Sequence, residues 1–141
     1  MALSMNPTQT PKVVSAYFNP SQKAELRPIG TYQLIGDAIP AGAIITRAWY
    51  QVLTTFTSAG ADAGTIAISI PGATGDVVAA VAISNGANPW DAGVFNSAVT
   101  APGTGITTAV GSAAAHINVA VAVQALTAGN MVIFVEYVQG D

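Results

Sequence analysis

The sequence predicts an all-β fold: a jelly-roll-like or Greek-key β-sandwich with an extended N-terminal arm. Three observations carry that expectation. Residues 43–57, AIITRAWYQVLTTFT, form the longest run rich in β-branched and aromatic residues with no internal Gly or Pro. Branching or a ring at Cβ fits a pleated strand better than a helix. Seven to nine such runs follow one another, with turn signals every eight to twelve residues, which is the pattern of a sandwich. The connection through 71–93 is too long for a simple up-and-down meander, and a jelly roll accommodates it.

Residues 1–12 carry Pro7 and Pro11 and lack a periodic apolar pattern, so they read as an extended arm. Val13–Phe18 fits an edge strand, and Asn19-Pro20-Ser21 turns the chain. Residues 1–28 are therefore assigned to an arm and edge segment, and 29–141 to the sandwich domain. Ala24–Arg27 reads as a short polar strand stopped by Pro28, and Thr31–Ile35 as another, with Tyr32 and Leu34 alternating against Gln33. Ile39-Pro-Ala-Gly42 is a tight connection in which Gly42 can take a positive φ. The long strand then ends in 59–64, expected to be a flexible hairpin connection.

Thr65–Ile70 has period two, with Ile66, Ile68 and Ile70 on one face, so it is a half-buried strand with the isoleucines inward. Val77–Ile83 mixes alanine and valine without a period and is taken as a short helix or turn. Ser84–Gly93 is a loop whose Trp90 either plugs the end of the core or offers a contact surface. Short strands are expected near 93–99 and 106–110. In 116–125, Ile117, Val119, Val121 and Val123 share a face; Leu126–Asn130 is expected to turn, with Gly129 or Asn130 left-handed. Met131–Val138 returns with Met131, Ile133, Val135 and Tyr137 on one face and Val132, Phe134, Glu136 and Val138 on the other. Both faces are largely apolar, which places this strand inside a sheet or under another subunit.

Composition narrows the function. At 141 residues the chain can bury one core without staples, and with no cysteine it has neither disulfides nor thiolate chemistry. Charged residues are only 8% of the chain, against about a quarter in a typical domain. The net charge of -3 argues against a nucleic-acid surface. Between Asp91 and Glu136 there is no Asp, Glu, Lys or Arg, and His116 is the one titratable side chain, which fits a surface covered by copies of the chain or by a partner. A membrane segment is not expected, because no window of about eighteen unbroken apolar residues exists. The first residues also lack the basic and apolar regions of a secretory signal.

Catalytic chemistry is nearly absent from the pattern, and the chain is not expected to be an enzyme or to need a cofactor or metal. The single histidine starts a strand on its polar face. Gly103-Thr-Gly105 lacks the lysine of a phosphate loop. Asp62, Asp76 and Asp91 could meet at one end of a sandwich to bind calcium, but they lack an Asp-x-Asp pattern. Arg47 can pair with Glu136 across the sheet or stack on Trp49, and a structural ion pair is the expected role. Tyr32, Trp49, Tyr50 and Trp90 are the aromatics that could line a sugar site.

Two segments carry a resemblance. Ile39-Pro-Ala-Gly-Ala-Ile-Ile-Thr-Arg-Ala-Trp-Tyr50 resembles a strand opening in small proteins encoded in the head-gene modules of tailed bacteriophages. Ala125-Leu-Thr-Ala-Gly-Asn-Met-Val-Ile-Phe-Val-Glu-Tyr137 is similar to their closing hairpin, and Asn88-Pro-Trp-Asp-Ala-Gly93 occupies the middle loop. The likeness covers most of 29–138 and leaves out the arm and residues 13–28. The family resembled is the phage capsid decoration (cement, auxiliary) proteins of β-sandwich type. It implies a homotrimer on the outside of the phage head that braces the major capsid protein, with no direct contact to nucleic acid or membrane. The candidate subunit or capsid contacts are Val13, Tyr17, Phe18, Arg47, Trp49, Tyr50, Trp90, Phe134 and Glu136. Of the adjacent pair Trp49 and Tyr50, one is expected to face outward. The alternative is a carbohydrate- or host-binding jelly-roll module on the virion or tail, with its site at Trp90 and the surrounding Asn- and Asp-rich loop.

Overall fold

The alternating runs form two four-stranded antiparallel sheets in the computed structural model, which describes residues 11–71, 76–84, 89–93, 95–98 and 113–139. The strands are β1 (Lys12–Phe18), β2 (Gly30–Gln33), β3 (Ala43–Ser58), β4 (Thr65–Ser69), β5 (Asp76–Ala82), β6 (Phe95–Ala98), β7 (Asn118–Ala122) and β8 (Leu126–Gln139). One sheet has the order β1-β8-β3-β6 and the other β2-β7-β4-β5. The first strand pairs with the last, β2 with β7, β3 with β6 and β4 with β5, all antiparallel. Such nesting is an antiparallel ribbon rolled up on itself, and the β3–β8 and β4–β7 ladders close the roll. Only the β4–β5 connection stays within one sheet; the others cross between sheets. This is the jelly-roll-like β-sandwich that the alternation predicted. The arm residues 1–10 and the strand expected near 106–110 lie outside the described residues.

The core fills the space between the sheets. Ile66, Ile68 and Ile70 point into it from β4 and its end, opposite Met131, Ile133, Val135 and Tyr137 of β8. Each fully buried aliphatic side chain contributes about 1.5–3 kcal/mol of transfer free energy. An aromatic chain runs through the middle. Tyr32 meets Phe18 at 6.1 Å between ring centroids, Phe18 stacks on Phe56 at 5.9 Å, Phe56 meets the Trp90 edge at 6.2 Å, and Trp90 meets Tyr50 at 5.2 Å. Trp90 is the plug: its indole Nε1 donates to Val81 O at 3.1 Å, and Tyr50 Oη donates to Pro89 O at 3.1 Å. The loop is then tied to β3 by Phe56 N to Trp90 O and Gly93 N to Val52 O, both at 3.0 Å.

Several local expectations are corrected. Ala24–Leu26 is a turn of 3-10 helix rather than a strand. Arg27 closes this loop by donating from Nε to Pro20 O at 2.7 Å and from Nη2 to Ser21 O at 3.0 Å. The 59–64 segment does not make a hairpin, because β3 and β4 lie in different sheets; a tight turn at Ala59–Asp62, with Gly60, Ala61 and Asp62 at positive φ, carries the chain across. Ser58 and Gln124 hold that crossing, with Gly64 N donating to Ser58 Oγ at 3.0 Å and Ala63 N to Gln124 Oε1 at 3.1 Å. The Val77–Ile83 run is strand β5, since pairing with β4 overrides the helix preference of its alanines. The Leu126–Asn130 turn is also absent. The chain turns at Val123 and Gln124, with Gln124 N donating to Ala122 O at 2.8 Å, and β8 begins at Leu126. Val123 is therefore 63% exposed at φ 70° and does not continue the inward face of β7.

Gly129 takes a positive φ, 138°, inside β8 rather than in a turn. It sits where the β3–β8 register shifts. Its N–H donates to Ser21 Oγ at 2.7 Å, and its carbonyl accepts from Ser21 N at 3.0 Å. A Cβ there would lie 2.0 Å from Phe56 Cδ1, inside a ring with 0% exposure.

Three outcomes follow from this packing. Gly129→Ala is expected to cost about 2–5 kcal/mol in urea unfolding, from left-handed strain plus overlap with a ring that cannot move. Val123→Asn is expected to raise stability by about 0.5–1 kcal/mol by the same measurement, because it relieves a β-branched residue of positive φ with little apolar burial lost. Tyr32, whose hydroxyl donates to Pro28 O, has its phenol pKa raised by burial. A raised folded pKa gives stability that is full below the unfolded value, about 10, and is lost as pH rises through the folded one. Tyr32→Phe should therefore flatten the alkaline decline of the urea midpoint above about pH 10.

Candidate functional site

Strand alternation sends every second side chain of the β1-β8-β3-β6 sheet away from the core. The register lines these side chains up in rows. Val13 of β1, Glu136 of β8 and Arg47 of β3 form one row. Ser15, Phe134 and Trp49 form the next, and Tyr17, Val132 and Gln51 the third. A register shift between Ile45 and Arg47 leaves both Thr46 and Arg47 exposed on this side. Leu53, one alternation beyond Gln51, is exposed as well.

The centre of the face is aromatic. Trp49 and Phe134 stack with ring centroids 5.3 Å apart and 16° between their planes. The Arg47 guanidinium carbon lies 4.3 Å from the Trp49 ring centroid. Glu136 Oε1 accepts a 2.8 Å hydrogen bond from Thr46 Oγ1. The expected ion pair between Arg47 and Glu136 is not made: the two are register neighbours, but the arginine turns to the indole face and the threonine takes the carboxylate. Planar guanidinium on indole is favourable in its own right, about 0.5–1 kcal/mol at an exposed site.

The structure thus gathers six of the nine candidate contacts on one face: Val13, Tyr17, Arg47, Trp49, Phe134 and Glu136. Tyr17 and Val13 are 63% and 49% exposed. The other three are corrected. Phe18, Tyr50 and Trp90 are 0% exposed in the core, so they have no side-chain surface to offer another chain. Of the Trp49–Tyr50 pair, Trp49 is the outward one. The sugar site imagined at Trp90 loses its ring to the core, and Tyr32 and Trp49 lie on opposite sheets. Ser15, Gln51 and Leu53 are also exposed on this face, around a Val132 that is itself buried, and the period-two spacing of these residues beside the named ones is the signal that marks them.

A groove of about 450 Å³ lies beside β1 and the end of β2, lined by Tyr17, Lys23, Glu25, Leu26, Leu34 and Ile35 among others. Among the described residues no group of three or more His, Asp or Glu comes together to hold a metal ion, and no helix is long and apolar enough to cross a membrane. His116 is half-buried, with its Nδ1 shielded and without a hydrogen-bond partner.

No known family model matches the sequence, and no curated protein matches it. Solved structures do. The fold is similar to a chain of the "Cyanophage Pam1 capsid asymmetric unit", with a TM-score of 0.62 and 18% identity, over 99% of this chain and 92% of that one. It is similar to a chain of the "Acidic stable capsid structure of Helicobacter pylori bacteriophage KHP30", with a TM-score of 0.59 and 11% identity, over 93% of this chain and 89% of that one. It is also similar to a chain of the "Capsid of Ralstonia phage GP4", with a TM-score of 0.54 and 16% identity, over 100% of this chain and 92% of that one. At these identities the likeness establishes a shared fold.

Adjacent aromatics on opposite faces make a direct test of this placement. Trp49→Ala is expected to cost the single chain about 1–2 kcal/mol, chiefly the lost stack with Phe134. Trp90→Ala is expected to cost about 3–5 kcal/mol by emptying a core site. Urea titration of each variant at a concentration where the chain is monomeric checks the difference.

Proposed function

We infer that this chain is a structural virion protein that decorates the outside of a phage head and stabilises the shell by bridging major capsid proteins. One observation carries the reading. All three similar structures are phage capsids, and the likeness takes in 89–92% of each neighbouring chain as well as nearly all of this one. The match is therefore to small chains taken whole, not to a domain set within a larger shell protein. The two segments that resemble decoration proteins point the same way, and so does the scarcity of charge, because interface centres are depleted in charged residues. The homotrimer belongs to that resemblance and to no contact within one chain. A carbohydrate-binding role centred on Trp90 has no exposed ring on which a sugar could stack.

The test is reconstitution. Purified full chain added to phage heads that lack it is expected to bind at a fixed stoichiometry on the outer surface, seen by electron microscopy. It should also raise the temperature at which DNA-filled heads rupture. Heads that neither bind the chain nor gain stability would overturn the reading.

A further inference from the structure

We propose that the outer face of the β1-β8-β3-β6 sheet is the docking surface for a second copy of this chain, packed face to face about a two-fold axis. The proposal concerns how the chain meets itself: it sets a two-fold pair in place of the homotrimer that the resemblance implies, and its test uses no capsid, so attachment to the phage head stands or falls separately.

The sheet order supplies the symmetry. With four strands in the order β1-β8-β3-β6, the midline of the sheet falls between β8 and β3. A two-fold axis along that midline, lying between two facing sheets, leaves position along the strands unchanged and exchanges left with right. It sets β8 of one copy over β3 of the other, and β1 over the shorter β6, so the two central strands overlap fully and the edges in part. Each outward residue then faces the residue that is its own register partner. Phe134 is the register partner of Trp49, and Glu136 of Arg47. One operation therefore places Trp49 against the second copy's Phe134 and Arg47 against the second copy's Glu136, twice over, as an isologous contact requires.

The chemistry of the face is self-complementary in the same way. Arg47 and Glu136 are the charged side chains among the described outward residues of β1, β3 and β8, one of each sign, and they are not ion-paired with each other. A second copy brings the opposite charge to each. Around the aromatic centre, Val13, Tyr17 and Leu53 are exposed apolar groups that association would cover. Large aromatics at the centre with charges beside them match the anatomy of protein interfaces. Four strands about 4.8 Å apart and roughly 20 Å long would bury on the order of 1,000 Å² between two copies, the small end of specific interfaces. The association is therefore expected at micromolar, not nanomolar, concentration.

Sedimentation equilibrium of the full chain decides the proposal. At tens of micromolar the expected mass is about twice 14.1 kDa, falling to 14.1 kDa on dilution. On dilution the tryptophan emission should shift to the red as Trp49 becomes wet, while Trp90 stays in the core. Arg47→Glu and Glu136→Arg are each expected to weaken self-association about tenfold or more, because each sets like charges against each other in both contacts. Mixed one to one, the two variants are expected to recover the double mass, since every contact in the mixed pair again joins opposite charges. A cross-strand effect inside a single chain gives no such recovery on mixing. A chain that stays monomeric at 100 µM, a trimeric mass, or two folded variants that fail to recover on mixing would each overturn the proposal. Should either variant fail to fold, the mass and tryptophan emission of the unaltered chain settle it. A monomer that binds phage heads through Arg47 and Trp49 would give this face to the shell instead, and would overturn the proposal as well.

Discussion

The ladder between β3 and β8 is the constraint on which the rest of the structure depends. These are the longest strands, Ala43–Ser58 and Leu126–Gln139, and their register runs from Ala43 opposite Gln139 to Ser58 opposite Leu126. β1 is added on one side and β6 on the other. Because side chains alternate, the ladder fixes two surfaces at once. Tyr50, Val52, Met131, Ile133 and Val135 are committed to the core, and Trp49, Gln51 and Phe134 to the outer face, where their neighbours bury Val132 beneath them. A slip of one residue would exchange the two sets. The ladder is not regular, and its irregularities have causes. The shift at Ile45–Arg47 puts Thr46 within reach of Glu136, and the shifts near its far end accommodate Gly129 under the Phe56 ring.

The crossings between sheets matter as much as the sheets. In a nested roll almost every connection must pass over the end of the core, where backbone groups and aromatic edges need partners. Here the loop at Pro89–Gly93 lowers Trp90 into one end and ties itself to β3 through backbone bonds. Ser58, Asp62 and Gln124 bind the crossings after β3 and β7 to each other, with Ser58 N donating to Asp62 Oδ1 at 2.8 Å. Ser21 and Arg27 do the same for the loop after β1, against the start of β8. Few charges are needed for any of this, which is how a chain with only 8% charged residues holds its loops.

The fold class was legible because it rests on local chemistry. β-branched and aromatic residues marked β3, period two marked β4 and β8, and the sets Ile66, Ile68, Ile70 and Met131, Ile133, Val135, Tyr137 named from alternation are the buried ones. The misreadings share one cause, which is that the signal they needed lay elsewhere in the chain. The Val77–Ile83 run has no preference strong enough to choose, and its pairing with β4 made it a strand. Leu126–Asn130 has turn residues, yet Gly129 serves a close approach to Phe56, seventy-three positions earlier in the chain. Arg47 and Glu136 were correctly placed beside each other, but the choice between carboxylate and indole depended on a strand irregularity that composition does not announce.

The sequence by itself determined that the chain would be a β-sandwich and which residues of β4 and β8 would alternate inward. Those properties follow from side-chain type and spacing, which are local. Only the tertiary structure decided which aromatics reach the outside. Phe18, Tyr50 and Trp90 look as available in the sequence as Tyr17, Trp49 and Phe134 do. What separates them is the face of the sheet on which each falls and whether a loop closes over it, and both depend on pairings between residues far apart in the chain. The outward face at Trp49 and Phe134 is in this sense a product of the register.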